Sequence, residues 1–358
     1  MVGSVFCEVD QGNCASAIKT PFSKMHSRIL LARCIPQAGA SALLAALLLL
    51  LCGAAHPQAA GYPERAVRIV VPFPAGGGSD LLARLLSQEL GEAFQRPFVV
   101  ENRAGAGGNI GMELVARAAP DGLTLALANN TVTINQSLGH PPFDAGRDLT
   151  AVVLVGATPP MIGVASGFAA TSVRQLIVMA RAAPGAISYA SCGSGTAHHL
   201  AAELLQSMAG VRMTHVPYKG CSQAVTDVLN GQVPVAFSTV SVLAPHVKSG
   251  RIRGLATTGL TRAQSVSDVP TVAESGYPGY VVDTWFGLMG PAGMPSPVVA
   301  RLNAEVNRAL ARPEIIARLR EQYFEPIGGT SEHFAEQVRR ELQTYGKLVR
   351  EANIQIVD

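Results

Sequence analysis

The sequence predicts an α/β protein of two lobes, each a mainly parallel β-sheet flanked by helices. Short β-branched runs alternate with amphipathic helical segments, a pattern typical of parallel strands joined by helical crossovers. A strand, a glycine turn and a helix N-terminus follow one another at 68–86 and again at 187–208. The chain has 358 residues, 48% hydrophobic and 15% charged, which is too long for one ordinary core and suits two domains.

The first 60 residues predict a secretory signal peptide. Arg28 and Arg33 precede the apolar run 42–52, and small residues follow that run. This is the layout of an export signal, and it places the start of translation at Met25. An uncleaved anchor and a lipid-modified Cys52 are the alternatives, although the run is shorter than the ~20 residues that span a bilayer. We therefore expect export.

The stretch 68–86 is the first strand–glycine–helix unit. Residues 69–71 form a β-branched run that suits a strand buried on both faces. The turn Phe73–Gly78 interrupts it, and Ser79 or Asp80 is expected to cap the following helix. The first turn of such a helix leaves N–H groups unpaired and carries a partial positive charge. The unit therefore predicts an anion site.

The rest of the first lobe continues the alternation. After the glycine turn 104–108, the predicted order is helix, strand and a polar loop at the carboxyl end of that strand, where open α/β sheets bind ligands. The predicted elements are a strand at 97–102, a helix at 109–118, a strand at 123–128 and a loop containing Asn129, Asn130, Thr131 and Asn135.

A crossing at 158–160 leads to the second lobe, and a Pro- and Gly-rich segment at 268–296 returns the chain to the first. The lobe boundaries are therefore expected at 61–160 with 285–358 for the first lobe, and 161–284 for the second. The further predicted strands are 149–156, 161–164, 187–190, 214–217, 233–237 and 253–257. The further predicted helices are 173–182, 196–208, 223–229, 242–248, 297–311, 313–321 and 331–352.

Two of the six cysteines, Cys192 and Cys221, lie beyond the predicted signal. Each follows a predicted strand, so their loops can be neighbours at one sheet end, and in an oxidising compartment the pair is a disulfide candidate. A thiol nucleophile at Cys192, beside His198 or His199, is the enzymatic alternative. No orienting Asn or Asp is evident in the sequence around it.

Several other kinds of site are not predicted. The turn GGGSD lacks the Gly-Lys-Ser/Thr ending of a nucleotide P-loop, and the glycine string 105–111 fits a dinucleotide fingerprint only with one extra residue. Adjacent His198 and His199 diverge by about 100° on a helix, so they cannot share an ion. The net charge of +3, without a basic and aromatic cluster, does not call for a nucleic-acid partner, and we predict none. We predict no catalytic residue, cofactor or metal.

Several stretches carry a resemblance to one family: VPFPAGGGSDLLAR, VVENRAGAGGNIG, ISYASCGSGTAHHLAAELL, HVPYKGCSQAVTDVLNGQVPVAF, SGRIRGLATTG and SDVPTVAESGYPGYVVDTWFGLMGPAGMP. From about residue 62 onward the sequence resembles the substrate-binding receptors of tripartite tricarboxylate transporters, the Bug proteins. The resemblance implies a monomeric type II periplasmic-binding-protein fold in the periplasm. It implies two lobes that close on a dicarboxylate, tricarboxylate, acidic amino acid or aromatic acid, and membrane transporter subunits as partners.

The resemblance also implies where the ligand binds. In the family, loop amides and small hydroxyl residues hold one ligand carboxylate. We expect Asp80 to brace its loop more than to contact the ligand. The matching positions are Phe73, Ala75, Gly76, Gly77, Ser79 and Asp80 in the first loop, Ser191, Gly193, Ser194, Gly195 and Thr196 in the second, Thr131 and Asn135 between them, and Ser238 and Thr239.

Some positions depart from the family pattern. Cys192 and Cys221 stand where small or polar residues are usual, and Tyr323 stands where a glycine turn is frequent. Tyr345 and Gly346 are expected to interrupt the last helix. A second function class remains open, because the same fold could present its ligand-bound state to a two-component sensor kinase.

Overall fold

The structure is a computed structural model that describes residues 61–139 and 141–351. The predicted signal peptide, the start at Met25 and the lipid-modified Cys52 lie outside these residues. Among the helices of the described part, none combines the length and the apolar character that crossing a bilayer requires.

Strands and helices alternate as predicted. The strands are β1 (Val67–Val71), β2 (Phe98–Asn102), β3 (Thr124–Asn129), β4 (Leu149–Ala157), β5 (Pro160–Ala165), β6 (Ser188–Ser191), β7 (Thr214–Pro217), β8 (Val235–Thr239), β9 (Ile252–Thr257), β10 (Trp285–Pro291) and β11 (Glu325–Pro326). The α-helices are α1 (Gly78–Phe94), α2 (Asn109–Ala116), α3 (Thr131–Leu138), α4 (Val173–Ala182), α5 (Ala197–Ala209), α6 (Cys221–Leu229), α7 (Val240–Lys248), α8 (Ser296–Leu310), α9 (Pro313–Glu321) and α10 (Ser331–Glu351).

The strands form two sheets, and each sheet is the centre of one lobe. The six-stranded sheet of lobe 1 has the order β11-β4-β10-β3-β1-β2, and the five-stranded sheet of lobe 2 has the order β7-β6-β8-β5-β9. Strand β1 pairs in parallel with β2 and β3, and β6 pairs in parallel with β7 and β8. Strands β10 and β5 each run antiparallel to both neighbours. Most strands of each sheet therefore share one direction; β5 is reversed in lobe 2, and β10 and the short edge strand β11 are reversed in lobe 1.

Both faces of each sheet are covered by helices, which explains the continuous apolar strands. Ile69 and Val71 of β1 pack on one side with leucines of α1, whereas Val70 packs on the other side with Val115 of α2. In lobe 2 the side chains of β8 divide in the same way between two apolar clusters. Strands covered on both faces need apolar residues at every position, not at alternate ones.

Two chain segments connect the lobes, and they are hydrogen-bonded to each other. The Thr158 N–H donates to the Thr284 carbonyl oxygen (3.0 Å). The Thr258 hydroxyl, in the lobe 2 loop after β9, donates to the Val282 carbonyl oxygen (2.6 Å) and supports the second connection. The C-terminal helix α10 crosses this region, since Phe334 packs in a lobe 1 cluster and Val349 in a lobe 2 cluster. The connection is thus built from paired backbone and one shared helix.

The structure corrects four sequence expectations. Helix α1 begins at Gly78 with Gly77 as its N-cap, not with a Ser79 or Asp80 cap. Residues 131–138, predicted within a polar loop, form helix α3, because Val132 and Ile134 are buried. Helix α10 continues through Gly346. Strand β10 lies inside the segment interpreted as a crossover.

The sequence did not predict strand β10, because its two glycines, Gly287 and Gly290, are typical of turns. A Cβ on Gly287 would lie 2.4 Å from the Phe334 ring, so this strand position needs glycine for the close approach of α10. The flanking Phe286 and Leu288 are fully buried, as residues of a central strand should be.

Candidate functional site

A cavity of about 90 Å³ lies where the two lobes meet; we name it the inner cavity. Its volume exceeds by several-fold the ~15 Å³ that one water needs, so it can hold a compact organic molecule. Lobe 1 contributes Phe73, Pro74, Ala75, Gly77, Gly78, Ser79, Asn129, Thr131 and Phe286. Lobe 2 contributes Cys192, Thr196, His198, Gly220, Cys221, Ser222, Gln223 and Thr239.

One helix from each lobe begins at this cavity with the same hydrogen-bonding pattern. The N-cap Gly77 carbonyl oxygen accepts from Leu81 N–H (3.1 Å), and the N-cap Gly220 carbonyl oxygen accepts from Ala224 N–H (3.4 Å). Among the described residues, the three N–H groups that follow each cap glycine have no hydrogen-bond partner. Helices α1 and α6 therefore both present free amide donors at one cavity.

The wall of the inner cavity is polar but uncharged. None of the described residues that line it is Lys, Arg, Asp or Glu. His198 is neutral, because burial lowers its pKa to about 3. Ser79 and Thr131 line the cavity, and their hydroxyl groups have no hydrogen-bond partner among the described residues. The positive potential at the site therefore comes from helix N-termini and not from side-chain cations.

Asp80 braces the first loop, as expected, and does not line the cavity. Its carboxylate accepts hydrogen bonds from Gly76 N–H (3.0 Å), from Asn102 (3.0 Å) and from Arg84 (2.9 Å). Burial alone would raise the pKa of Asp80, but these hydrogen bonds lower it below its ordinary value. The brace also occupies the Gly76 N–H, which is then not free for a ligand.

The second predicted loop is largely satisfied by its own contacts. The Ser191 hydroxyl lies 2.7 Å from His215 Nε2, and Gly195 N–H donates to His199 Nδ1 (3.3 Å). Thr196 caps α5 as predicted, accepting from His199 N–H (3.4 Å) and donating to the Gly193 carbonyl oxygen (2.7 Å). Of this loop and its helix, Cys192, Thr196 and His198 reach the inner cavity, whereas Ser191 and Gly195 do not line it.

The remaining predicted residues line one of two cavities, except for Ser238, which is buried. Thr239, at the N-terminus of α7, lines the inner cavity, whereas Ser238 is fully buried beside Cys192. Gly193, Ser194 and Asn135 line a larger cavity of about 580 Å³, the outer cavity, which also has Lys219 in its wall. The inner and outer cavities share Phe73 and Cys192 as lining residues.

Asn135 supports the outer cavity by bracing a glycine turn. Its side-chain N–H₂ donates to the Gly107 carbonyl oxygen (3.1 Å) and to Asn109 Oδ1 (3.0 Å). Gly107 has φ +59° and lies close to the Ser194 carbonyl oxygen of lobe 2. Asn135 thus fixes the lobe 1 edge of the contact between the lobes.

The lobes touch beside the inner cavity. The Ser222 hydroxyl of lobe 2 donates to the Gly76 carbonyl oxygen of lobe 1 (3.0 Å). Gly220 packs on the Pro74 ring so closely that a Cβ there would lie 2.9 Å from Pro74 Cδ. These contacts close one side of the cavity.

Cys192 and Cys221 are joined by a disulfide, which links the turn after β6 to the first residue of α6. A disulfide-bonded Cys192 has no thiolate, so the thiol-nucleophile alternative is wrong for this state of the protein. His198 and His199 do diverge: His198 lies beside Cys221, and His199 stacks on His215 with ring centroids 4.0 Å apart.

The N-terminus of α6 is the part of the site that sequence reasoning missed. The helix was predicted to start at Gln223, with Lys219–Ser222 as a loop, whereas it starts at Cys221. The signal was present in Gly220, a residue without a side chain directly before an amphipathic segment, in the same arrangement as Gly77 before α1.

Comparisons with known proteins identify the family of this chain. Residues 82–354 match the model of the tripartite tricarboxylate transporter family receptors. BugT of Bordetella pertussis is 33% identical over 308 residues, covering 85% of this chain and 94% of BugT.

Two solved structures share both sequence and fold. Rpa4515 of R. palustris, solved with adipate, is 34% identical with a TM-score of 0.79, covering 83% of this chain and all of that chain. The periplasmic binding protein BugD is 32% identical with a TM-score of 0.78, covering 82% of this chain and 99% of that chain. The two-lobed periplasmic-binding-protein fold is thereby confirmed. The chain belongs to the family of tripartite tricarboxylate transporter receptors.

Proposed function

We propose that this protein is a periplasmic receptor that binds a small organic acid between its lobes and delivers it to the membrane subunits of a tripartite transporter. One observation carries the proposal: helices α1 and α6, from opposite lobes, direct unpaired N–H groups at one uncharged cavity. A carboxylate is the ligand group that such amides bind best, because it accepts several hydrogen bonds and carries negative charge.

The proposed contacts are mostly main-chain. The N–H groups of Gly78 and Ser79 would bind the carboxylate from lobe 1, and those of Cys221 and Ser222 from lobe 2. The hydroxyls of Ser79 and Thr131 would add donors, and Phe73, Ala75, Gly77, Thr196 and Thr239 would form the walls. We leave Gly76, Asp80, Ser191, Gly195 and Ser238 outside the ligand set, because their polar groups bond within the protein or lie away from the cavity.

The same arrangement supports ligand-dependent closure. Each lobe supplies only part of the donors, so a carboxylate gains its full set of hydrogen bonds only when the lobes meet. Closure also removes water, which strengthens each amide–carboxylate contact in the lower dielectric. The outer cavity gives room for the remainder of a longer acid, with Lys219 at its wall.

The ligand class is tested by calorimetry and thermal shift. The panel contains adipate, which Rpa4515 was solved with, shorter dicarboxylates, tricarboxylates, acidic amino acids and aromatic acids. We expect at least one acid to bind, and its uncharged carboxamide to bind at least tenfold more weakly. No binding by any acid up to millimolar concentration, or equal binding of acid and carboxamide, would refute the proposal.

The site is tested by hydroxyl removal. Ser79→Ala should weaken binding of the acid found above about tenfold to 100-fold, because one hydrogen bond to a charged group is lost. Ser238→Ala is the matched control: its hydroxyl is buried in lobe 2 outside the inner cavity, so affinity should stay within twofold. Equal effects of the two variants would argue against this site.

A further inference from the structure

Three soft metal-ligand groups meet on the lobe 2 wall of the inner cavity. They are Cys192, in the turn after β6, His198, in the first turn of α5, and Cys221, the first residue of α6. One ligand atom from each lies within 4.8 Å of the other two, and His198 Nε2 is 3.8 Å from Cys221 Sγ. The three residues come from separate elements, so their spacing in the sequence does not form a recognisable metal-binding motif.

We propose that, when the Cys192–Cys221 disulfide is reduced, these three residues bind one zinc-class d¹⁰ cation. A dithiol supplies the two electrons: it becomes a cyclic disulfide while the protein disulfide becomes two thiols. The cation then displaces one proton from each thiol, and His198 binds through neutral Nε2. Disulfide and metal site are therefore alternative states of the same residues.

The existing geometry is close to what such a cation requires. Zinc binds Cys sulfur at about 2.3 Å and His nitrogen at about 2.0 Å, so tetrahedral angles place the sulfur and nitrogen atoms about 3.5 Å apart. The 3.8 Å between His198 Nε2 and Cys221 Sγ already meets this requirement within a few tenths of an ångström. The two sulfur atoms have to separate, and Cys192 Sγ, which lies within 4.8 Å of a His198 ring nitrogen, has to reach a similar spacing from it by side-chain rotation.

The chemical state of each ligand also fits. Cys221 begins α6, and a helix N-terminus favours the thiolate over the thiol. His198 is only 4% exposed, and its Nδ1 has no hydrogen-bond partner among the described residues. A buried imidazole of this kind stays neutral and keeps a lone pair for a metal.

The coordination number predicts the character of the site. Three protein ligands leave a fourth position, as in zinc sites that bind water or a ligand molecule. Because all three residues line the inner cavity, that position would be open to it. Nδ1 of His198 lacks the partner that normally supports a metal-bound imidazole, which in other sites is worth tenfold to 100-fold in affinity. We therefore expect weaker binding than at a structural zinc site.

The experiment uses Co²⁺ as a spectroscopic probe. The protein is reduced with dithiothreitol, freed of it by anaerobic gel filtration, checked by circular dichroism and titrated with Co²⁺. We expect one Co²⁺ per chain, with near-ultraviolet thiolate-to-metal absorption and visible bands of tetrahedral cobalt, and loss of both on addition of Zn²⁺. The oxidised protein should show neither signal.

Variants separate this site from adventitious binding. His198→Ala should weaken Co²⁺ binding at least tenfold and alter the visible bands, whereas His246→Ala, on α7 away from the inner cavity, should bind as the unmodified protein does. The double variant Cys192→Ser, Cys221→Ser should lose the thiolate absorption. The proposal is overturned if reduced protein gives no thiolate absorption, if His198→Ala leaves affinity and spectrum unchanged, or if the reduced chain loses its native circular dichroism.

Discussion

Asp80 shows how one side chain sets the shape of a main-chain binding loop. It is 3% exposed and joins Gly76, Arg84 and Asn102 through one carboxylate. Asn102 in turn donates to the Phe73 carbonyl oxygen (3.0 Å), so the network holds both ends of the turn. The free amides of α1 depend on this turn for their direction.

Asp80→Ala should lower the free energy of unfolding by about 1–3 kcal/mol, because it leaves buried donors of the loop without an acceptor. Urea unfolding of the ligand-free protein measures this. Arg84→Ala removes only the exposed partner, and the loss there should be at most about 1 kcal/mol. Equal stability of Asp80→Ala and the unmodified protein would mean that the loop is held in another way.

The same carboxylate predicts a pH dependence. The folded-state pKa of Asp80 is lowered, so its contribution is present above the unfolded-state value of about 3.9 and is lost as pH falls through the folded-state pKa. The stability difference between the unmodified protein and Asp80→Asn should therefore shrink between about pH 6 and pH 3. Urea unfolding at both pH values tests the sign; a difference that grows on acidification contradicts it.

At the scale of the secondary-structure element, the backbone conformation at helix C-termini affects stability. Gln95 after α1 and Gly210 after α5 occupy the same left-handed conformation, with φ +54° and +60°. Glycine takes this conformation without steric cost, whereas other residues do not.

Gln95→Gly should therefore raise the free energy of unfolding by about 0.5–1 kcal/mol, and Gly210→Ala should lower it by about 1 kcal/mol. A Cβ at Gly210 meets no atom within 4 Å, so that variant reports backbone conformation alone. Chemical denaturation gives both values. The explanation fails if both substitutions shift stability in the same direction.

The disulfide also stabilises the arrangement of elements. It joins the turn after β6 to the start of α6 across a separation of 29 residues. Chain-entropy estimates for a loop of this size give about 3–4 kcal/mol. The double variant Cys192→Ser, Cys221→Ser should have a free energy of unfolding that is lower by up to that amount, measured as a lower urea midpoint. Reduction of the unmodified protein should have a similar effect, and an unchanged midpoint in both would show that the bond contributes nothing.

At the scale of the whole molecule, function depends on how the lobes meet. We propose that the lobe boundaries lie at the paired connections near 160 and 284, as the sequence predicts. Gly220 is a precise probe of closure. Its φ of 176° suits any residue, yet a Cβ there would meet the Pro74 ring of lobe 1.

Gly220→Ala should obstruct closure and weaken ligand binding by about 1–3 kcal/mol, which is about 5-fold to 150-fold in Kd. Calorimetry with the acid identified above measures the loss. Gly167→Ala is the control, because a Cβ at Gly167 meets nothing within 4 Å, and its Kd should not change. Unaltered binding by Gly220→Ala would mean that closure does not bring Pro74 against residue 220.

Much of the fold could be predicted from the sequence because its signals are local. A β-branched run marked β1, and the cap at Thr196 marked the start of α5. Glycine led to one wrong prediction. Gly287 and Gly290 indicated a crossover, whereas they lie in β10, whose strand conformation depends on packing against residues far along the chain.

The sequence by itself determined the α/β class, the two glycine–helix units and the family, because these follow from residue order within short windows. Only the tertiary structure decided which amides face the cavity, and that Cys192, His198 and Cys221 share one wall of it. The reason is physical: a free N–H or a metal-ligand cluster is defined by distances between elements, and those distances result from how the two sheets pack their helices.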